Sequence, residues 1–180
     1  MQKIKLIDLP EKIPFERGYH HGKALEEELH LLLEAWKEWG HTMIGLHLPS
    51  FMRGKNIVTN IGGWLSDEVL LRRWFARGFK KFIPKDLAFE IEGVSAGAKV
   101  PRSFVYLINY FDDLFRIRLQ QCSGFVFKDG GGNYEMAINL DYGIMLKELM
   151  RNCIFRHTWC PTRFLSVGSP GYIGIIRGMN

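Results

Sequence analysis

The chain has few cysteines and no long apolar run, and both shortages narrow what it can be. Three cysteines, Cys122, Cys153 and Cys160, are an odd number without framework spacing. That argues against a disulfide-stapled scaffold and for reduced thiols. No stretch reaches the roughly 18 consecutive apolar residues that span a bilayer. Met1-Gln2-Lys3-Ile4-Lys5 lacks the apolar run of a secretory signal, so the expected compartment is cytoplasmic. There is no internal repeat and no nucleic-acid-binding motif. His20, His21 and His30 have no Cys/His/carboxylate set at zinc spacing around them, and no metal or cofactor is expected. Gly130-Gly131-Gly132 lacks the following Lys-Ser/Thr and helix of a phosphate loop, so its use is a tight turn.

What is present is an ordinary globular composition. The 180 residues are 47% hydrophobic and 24% charged, with a net charge of +5. That suffices for one domain with a substantial core, or two small ones. Part of the positive excess lies in Arg72, Arg73, Arg77, Lys80 and Lys81, interleaved with Trp74, Phe75, Phe79 and Phe82. A half-buried helix with solvated cations explains that pattern; an anionic membrane surface is the alternative.

The first two-thirds read as helical. From Glu16, apolar Leu25, Leu29, Leu32, Leu33 and Trp36 recur at three- and four-residue steps, predicting one long amphipathic helix to about Gly40 or a turn beyond. Leu48 to Gly63 reads as loop, and Ser66 as the cap of a helix reaching about Phe82. Pro84 opens another helix, with Leu87, Ile91, Val94 and Ala98 on one face and Gly93 and Gly97 permitting close contact. Pro101 or Ser103 begins the next, with Phe104, Leu107, Ile108 and Phe111 inward. After Cys122 the texture changes. Phe125 to Phe127 and Tyr134 to Leu140 read as strands around a hairpin turn at Lys128 to Asn133. A short helix is expected at Ile144 to Arg151, then strands at Arg163 to Val167 and Tyr172 to Arg177. The fold class is therefore α+β.

Several residues invite a chemical role. Cys122-Ser123-Gly124 and Asp141, on the two sides of the hairpin, put a thiol and a carboxylate towards one place. A cysteine at a new chain start carries both nucleophile and base, because its α-amine has an ordinary pKa of about 7.7–8.0. Spacing alone is weak support, since cysteine also behaves as a small hydrophobe. Arg17 and His21 lie four apart on one helix face, in position for a structural hydrogen-bonding pair. Asp112-Asp113 has the composition of an acid/base pair, but adjacent helical residues point to different sides. Cys153, His157 and Cys160 form at most an incidental group of ligands.

A resemblance covers most of the chain. Pro14-Phe15-Glu16-Arg17-Gly18-Tyr19-His20-His21-Gly22 resembles the opening motif of penicillin acyltransferase-like proteins, which are N-terminal-nucleophile hydrolases. Pro84 to Val100 and Leu107 to Leu114 resemble their next helices. Cys122-Ser123-Gly124 through Asn139-Leu140-Asp141-Tyr142 resembles the nucleophile hairpin shared with choloylglycine hydrolases and acid ceramidases. Gly178-Met179-Asn180 looks like the start of the family's Gly-x-Asn-x-x-Gly segment.

The resemblance implies a helical N-terminal half, residues 1–121, followed by part of an αββα sandwich from residue 122 to 180. It implies a cysteine amidohydrolase or acyltransferase acting on a linear, non-peptide C–N bond of an N-acylated small molecule. Cys122 would be the nucleophile, exposed by autocleavage after Gln121; Asp141 would orient the freed amine and Asn139 would line the site. Ile138 stands where choloylglycine hydrolases and acid ceramidases carry Arg, which points away from bile-salt and ceramide substrates. The family's oxyanion-hole Asn lies beyond the equivalent of Asn180, so the chain is expected to be a truncated form. Two other readings stand beside this one. One is an inactive fragment that forms homo-oligomers through exposed sheet edges; the other is a phospholipase B-like hydrolase at a membrane surface.

Overall fold

Glycines at four-residue spacing decide how this chain packs. The computed structural model describes residues 4–47, 81–115, 122–140, 153–174 and 178–179. Helix α1 (Pro14–Ala24) starts with proline in its first turn, where the missing N–H would have no helical partner. It carries Gly18 and Gly22. Helix α3 (Lys85–Ala98) follows Pro84 and carries Gly93 and Gly97. A Cβ on Gly18 would fall closer than 3.0 Å to the Glu90 carbonyl, and one on Gly22 equally close to that of Val94. The relation is reciprocal, since Gly93 and Gly97 meet the carbonyls of Phe15 and Tyr19. The two helices therefore touch backbone to backbone, a distance only glycine permits.

Between these helices in the chain lies α2 (Glu26–His47), which buries Leu29, Leu32 and Trp36. The single long helix expected from Glu16 is thus two. Leu25 interrupts it with φ −120° and ψ 26°, while its side chain remains fully buried. The bend lets α1 keep its glycine contact with α3 while α2 turns Leu29 and Leu32 into the core. Helix α4 (Arg102–Phe115) buries five consecutive residues, Phe104 to Ile108. Each fully buried aliphatic side chain of this cluster contributes roughly 1.5–3 kcal/mol.

A four-stranded sheet closes the other side, in the order β1 (Lys5–Leu9), β4 (Cys153–His157), β5 (Phe164–Gly168), β6 (Gly178–Met179). β1 runs parallel to β4; the other pairs are antiparallel. Ile7 and Leu9 on β1 and Cys153, Phe155 and His157 on β4 are buried, the alternation of a strand with one covered face. Leu6 and Leu165 are exposed, as are the paired Asp8 and Arg156. The hairpin strands β2 (Cys122–Lys128) and β3 (Tyr134–Leu140) form a separate two-stranded sheet. The architecture is α+β.

Several expectations change. β1 and β4 were not anticipated, and β1 brings the start of the helical half into the same sheet as strands beyond residue 150. Residues 172–174 are not strand; instead Ser169 to Tyr172 make a turn, with the Tyr172 N–H donating to the Ser169 carbonyl at 3.1 Å. Pro170 and Gly171, the latter at φ +77°, are the residues a type II turn selects at its centre. The expected loop at Leu48 to Gly63, residues 66–80 of the helix from Ser66, the Ile144–Arg151 helix and residues 175–177 lie outside the described residues. No helix among the described residues is long and apolar enough to cross a membrane.

Candidate functional site

The hairpin is built outward from its turn. Asp129 accepts hydrogen bonds at Oδ1 from the N–H groups of Gly131 (2.9 Å) and Asn133 (2.7 Å), and at Oδ2 from Asn133 Nδ2 (3.0 Å). These donors, the Asn133 side chain first, hold the Asp129 carboxyl below its ordinary range. Gly132 takes φ +88°, which the turn needs and glycine supplies. The turn fixes the register. Lys128 pairs with Tyr134, Ser123 with Asn139, and Cys122 with Leu140.

This register decides where the sequence-predicted residues fall. Cys122 opens β2, and Asn139 lies on β3 opposite the next residue, Ser123. The side chains of Cys122 and Asn139 lie outside the described set. So do Gln121 and Asp141 altogether, although Asp141 is the residue that follows Leu140 in the chain. Towards the turn the hairpin is apolar and exposed: Phe125 and Val126 are each 62% accessible, and Tyr134 also 62%.

A second constellation is buried between α1, α3 and the sheet. Arg17 Nε and Nη2 donate to the two carboxylate oxygens of Glu90, at 2.9 and 2.5 Å. Its Nη1 donates to the carbonyls of Glu11 and Lys12, and its guanidinium lies 4.3 Å from the Trp159 ring centre. Arg17 and His21 do share a face, as expected, but their partners differ from the expected mutual pair. His21 Nε2 accepts the Gly171 N–H at 3.1 Å. Asn109 holds the same turn from α4, donating to the Gly171 carbonyl (2.8 Å) and accepting from the Ile173 N–H (2.9 Å).

Both buried histidines are neutral. Burial, and then the neighbouring His157, push His21 down to about 3. Burial, and then the charge of Arg17, push His157 down to about 4. Trp159 Nε1, which can only donate, donates to His157 Nδ1 at 3.3 Å. The ring proton of His157 therefore sits on Nε2 and is donated to Ser166 Oγ at 2.7 Å. A histidine that donates to a hydroxyl cannot also deprotonate it, so Ser166 and His157 are not a nucleophile–base pair. With Arg17, Glu90, His21, His157 and Ser166 all buried and engaged, this assembly is a structural brace.

The remaining sequence candidates resolve simply. His20 is exposed and pairs through Nδ1 with Glu11. Cys160 donates to the Thr162 carbonyl. Cys153 is buried, which pushes its thiol up to about 11 and makes it a poor nucleophile. Among the described residues no group of three His, Cys, Asp or Glu stands where it could hold a metal ion. The side chains of Asp112 and Asp113 lie outside the described set.

The roles of Glu90, Trp159 and Ser166 escaped the sequence reading. Glu90 had a visible signal, since a carboxylate on the Gly93/Gly97 face of a helix needs a buried cation. Among known proteins, no protein-family model and no curated protein matches the chain.

Proposed function

We propose that the chain is a cysteine N-terminal-nucleophile amidohydrolase or acyltransferase acting on the linear C–N bond of an N-acylated amine. The observation that carries this reading is the hairpin register, in which Cys122 opens β2 directly opposite Leu140. That leaves Asp141 one residue from the nucleophile's cross-strand partner. In maturation the Cys122 thiol attacks the Gln121 carbonyl. The amide nitrogen leaves as the new α-amine of Cys122, and water then hydrolyses the thioester to leave Gln121 with a free carboxylate. In turnover the same amine takes the thiol proton, the thiolate attacks the substrate acyl carbon, and the leaving amine is protonated. Asp141 orients the α-amine and Asn139 lines the site. The resulting thioester passes its acyl group to water or to another amine.

The placement of β1 supports the same reading. Cleavage after Gln121 would leave two pieces still joined by the β1–β4 ladder and by the His21–Gly171 hydrogen bond. The test is the intact mass of purified chain under denaturing, reducing conditions. Two pieces separating between Gln121 and Cys122, absent in Cys122→Ala, are expected. A single uncut chain in the unaltered protein would overturn maturation by this route.

A second reading has its own observation. Phe125, Val126, Phe127 and Tyr134 leave the hairpin with large exposed apolar side chains, the composition of an association surface. In that reading the chain assembles with copies of itself and performs no chemistry. Size-exclusion chromatography giving a clean monomer at all concentrations would remove it.

A further inference from the structure

The inner side of α1 is spent on glycine contacts with α3, and its outer side carries a different chemistry. Phe15 and Tyr19, four residues apart, are 42% and 47% exposed there. They line an open groove of about 720 Å³ together with Glu11, Glu16, His20 and Lys23. That volume lies within the range of small-molecule sites. We propose that this groove binds a small organic cation, an ammonium group carried on an aromatic or aliphatic body. The proposal is independent of the reading of Cys122.

Charge decides the sign of the ligand. The cations of the lining are committed: Lys23 Nζ is held by Glu26 at 2.5 Å and His20 Nδ1 by Glu11 Oε1 at 2.8 Å. The Glu16 carboxylate is not. Glu11 Oε2 has no hydrogen-bond partner and no surface open to the groove, so this carboxylate acts on a ligand through its charge and not by direct contact. Glu16 is exposed and makes no hydrogen bond or ion pair among the described residues. An anion entering the groove would be repelled by both carboxylates, whereas a cation is drawn by both and can pair with the exposed Glu16. The two aromatic rings add a favourable face for an ammonium and an apolar wall for its body.

The groove is also preorganised. The Glu11 carbonyl is held by Arg17 Nη1 at 3.2 Å, which ties one wall to the buried Arg17–Glu90 pair. The other wall is α1 itself, fixed where the carbonyls of Phe15 and Tyr19 meet Gly93 and Gly97. A lining that need not be ordered on binding loses less free energy to the ligand.

The test compares three probes of one shape on the full chain by amide NMR: phenethylamine, the neutral phenethyl alcohol and the anionic phenylpropionate. Saturable shifts confined to residues 11–24 are expected with phenethylamine alone. The affinity should fall roughly fivefold in Glu11→Gln/Glu16→Gln, the loss expected for exposed ion pairs. It should also weaken in Tyr19→Leu, whose ring lies away from the core. Equal shifts with the alcohol or stronger ones with the anion overturn the proposal, as does unchanged affinity in the double variant. The three-probe comparison needs only the unaltered chain, so it decides even where a variant folds poorly.

Discussion

The α1–α3 crossing and the β2–β3 hairpin use the same residue, glycine, for opposite purposes. In the crossing, Gly18, Gly22, Gly93 and Gly97 remove side chains so that two backbones can meet. In the hairpin, Gly130 has nothing within 4 Å of a would-be Cβ, and Gly132 serves a turn at φ +88°. The crossing is fixed by long-range packing and by a buried ion pair. The hairpin is fixed by its own turn and ladder, with its large side chains in solvent. Global stability should therefore depend on the crossing, while the candidate nucleophile sits on an element whose stability is local.

The largest effect should come from unpairing Arg17. Glu90→Ala leaves a guanidinium with its fork unsatisfied in the core, a change worth about 3–5 kcal/mol. Urea denaturation should show it as a lower midpoint. Arg17→Met/Glu90→Leu should recover much of the loss, because an apolar pair needs no mutual compensation. A cost below about 1 kcal/mol for Glu90→Ala would mean the pair is effectively hydrated.

Next comes the crossing itself. Gly97→Ala drives a methyl into the Tyr19 carbonyl, which neither helix can yield without moving along its length. A loss of about 3 kcal/mol is expected, the upper end of overpacking. Gly130→Ala in the hairpin should change the melting temperature little. Equal effects at the two positions would break the contrast between the regions.

How much of this contrast was legible follows from how local each signal is. The hairpin turn and β3 were readable because Asp129, the glycines and Asn133 encode the turn where they stand, whereas β2 extends beyond the expected Phe125 to Phe127, to Cys122–Lys128. Helix α3 was readable from Pro84 and its apolar steps, including Gly93 and Gly97 as a contact surface. Gly18 and Gly22 were not read as its complement, since a glycine spacing gains meaning only once the partner is known. No proline or glycine marks the break at Leu25, and its apolar phase fits an unbroken helix. β1 and β4 are five residues each, and their parallel pairing spans most of the chain, which no local pattern encodes. In the candidate site the register was not legible: the sequence pattern starts the turn at Lys128, whereas Lys128 pairs with Tyr134 and so sets Cys122 opposite Leu140; Asp141 lies outside the described residues.

Acid should separate the regions in another way. His21 and His157 are neutral in the folded chain, with pKa values near 3 and 4, against an ordinary value near 6.5. Below pH 6.5 the unfolded chain therefore binds more protons, and stability falls as pH drops. From pH 6.5 to 5 each histidine should cost about 1.6 kcal/mol. Urea midpoints measured across that window should decline steeply, before most carboxylates begin to titrate. A flat profile would show that these rings are accessible to protonation in the fold.

The smallest effect sharpens the comparison most. Asp129 gathers three hydrogen bonds that close the hairpin turn, and none of them reaches the helices. Asp129→Ala should therefore leave the urea midpoint of the whole chain nearly unchanged. Amide exchange at residues 123–128 and 134–139 should accelerate roughly three- to tenfold, the consequence of losing a net hydrogen bond or so. Exchange in α1 and α3 should not respond. If the helices did respond, the hairpin and crossing would open as one unit, and the register that places Cys122 opposite Leu140 would be sustained by the core as well as by the turn. If only the hairpin responds, the position of the candidate nucleophile is set by five residues, Asp129 to Asn133. Substitutions in that loop would then tune the chemistry proposed at Cys122 without touching the fold.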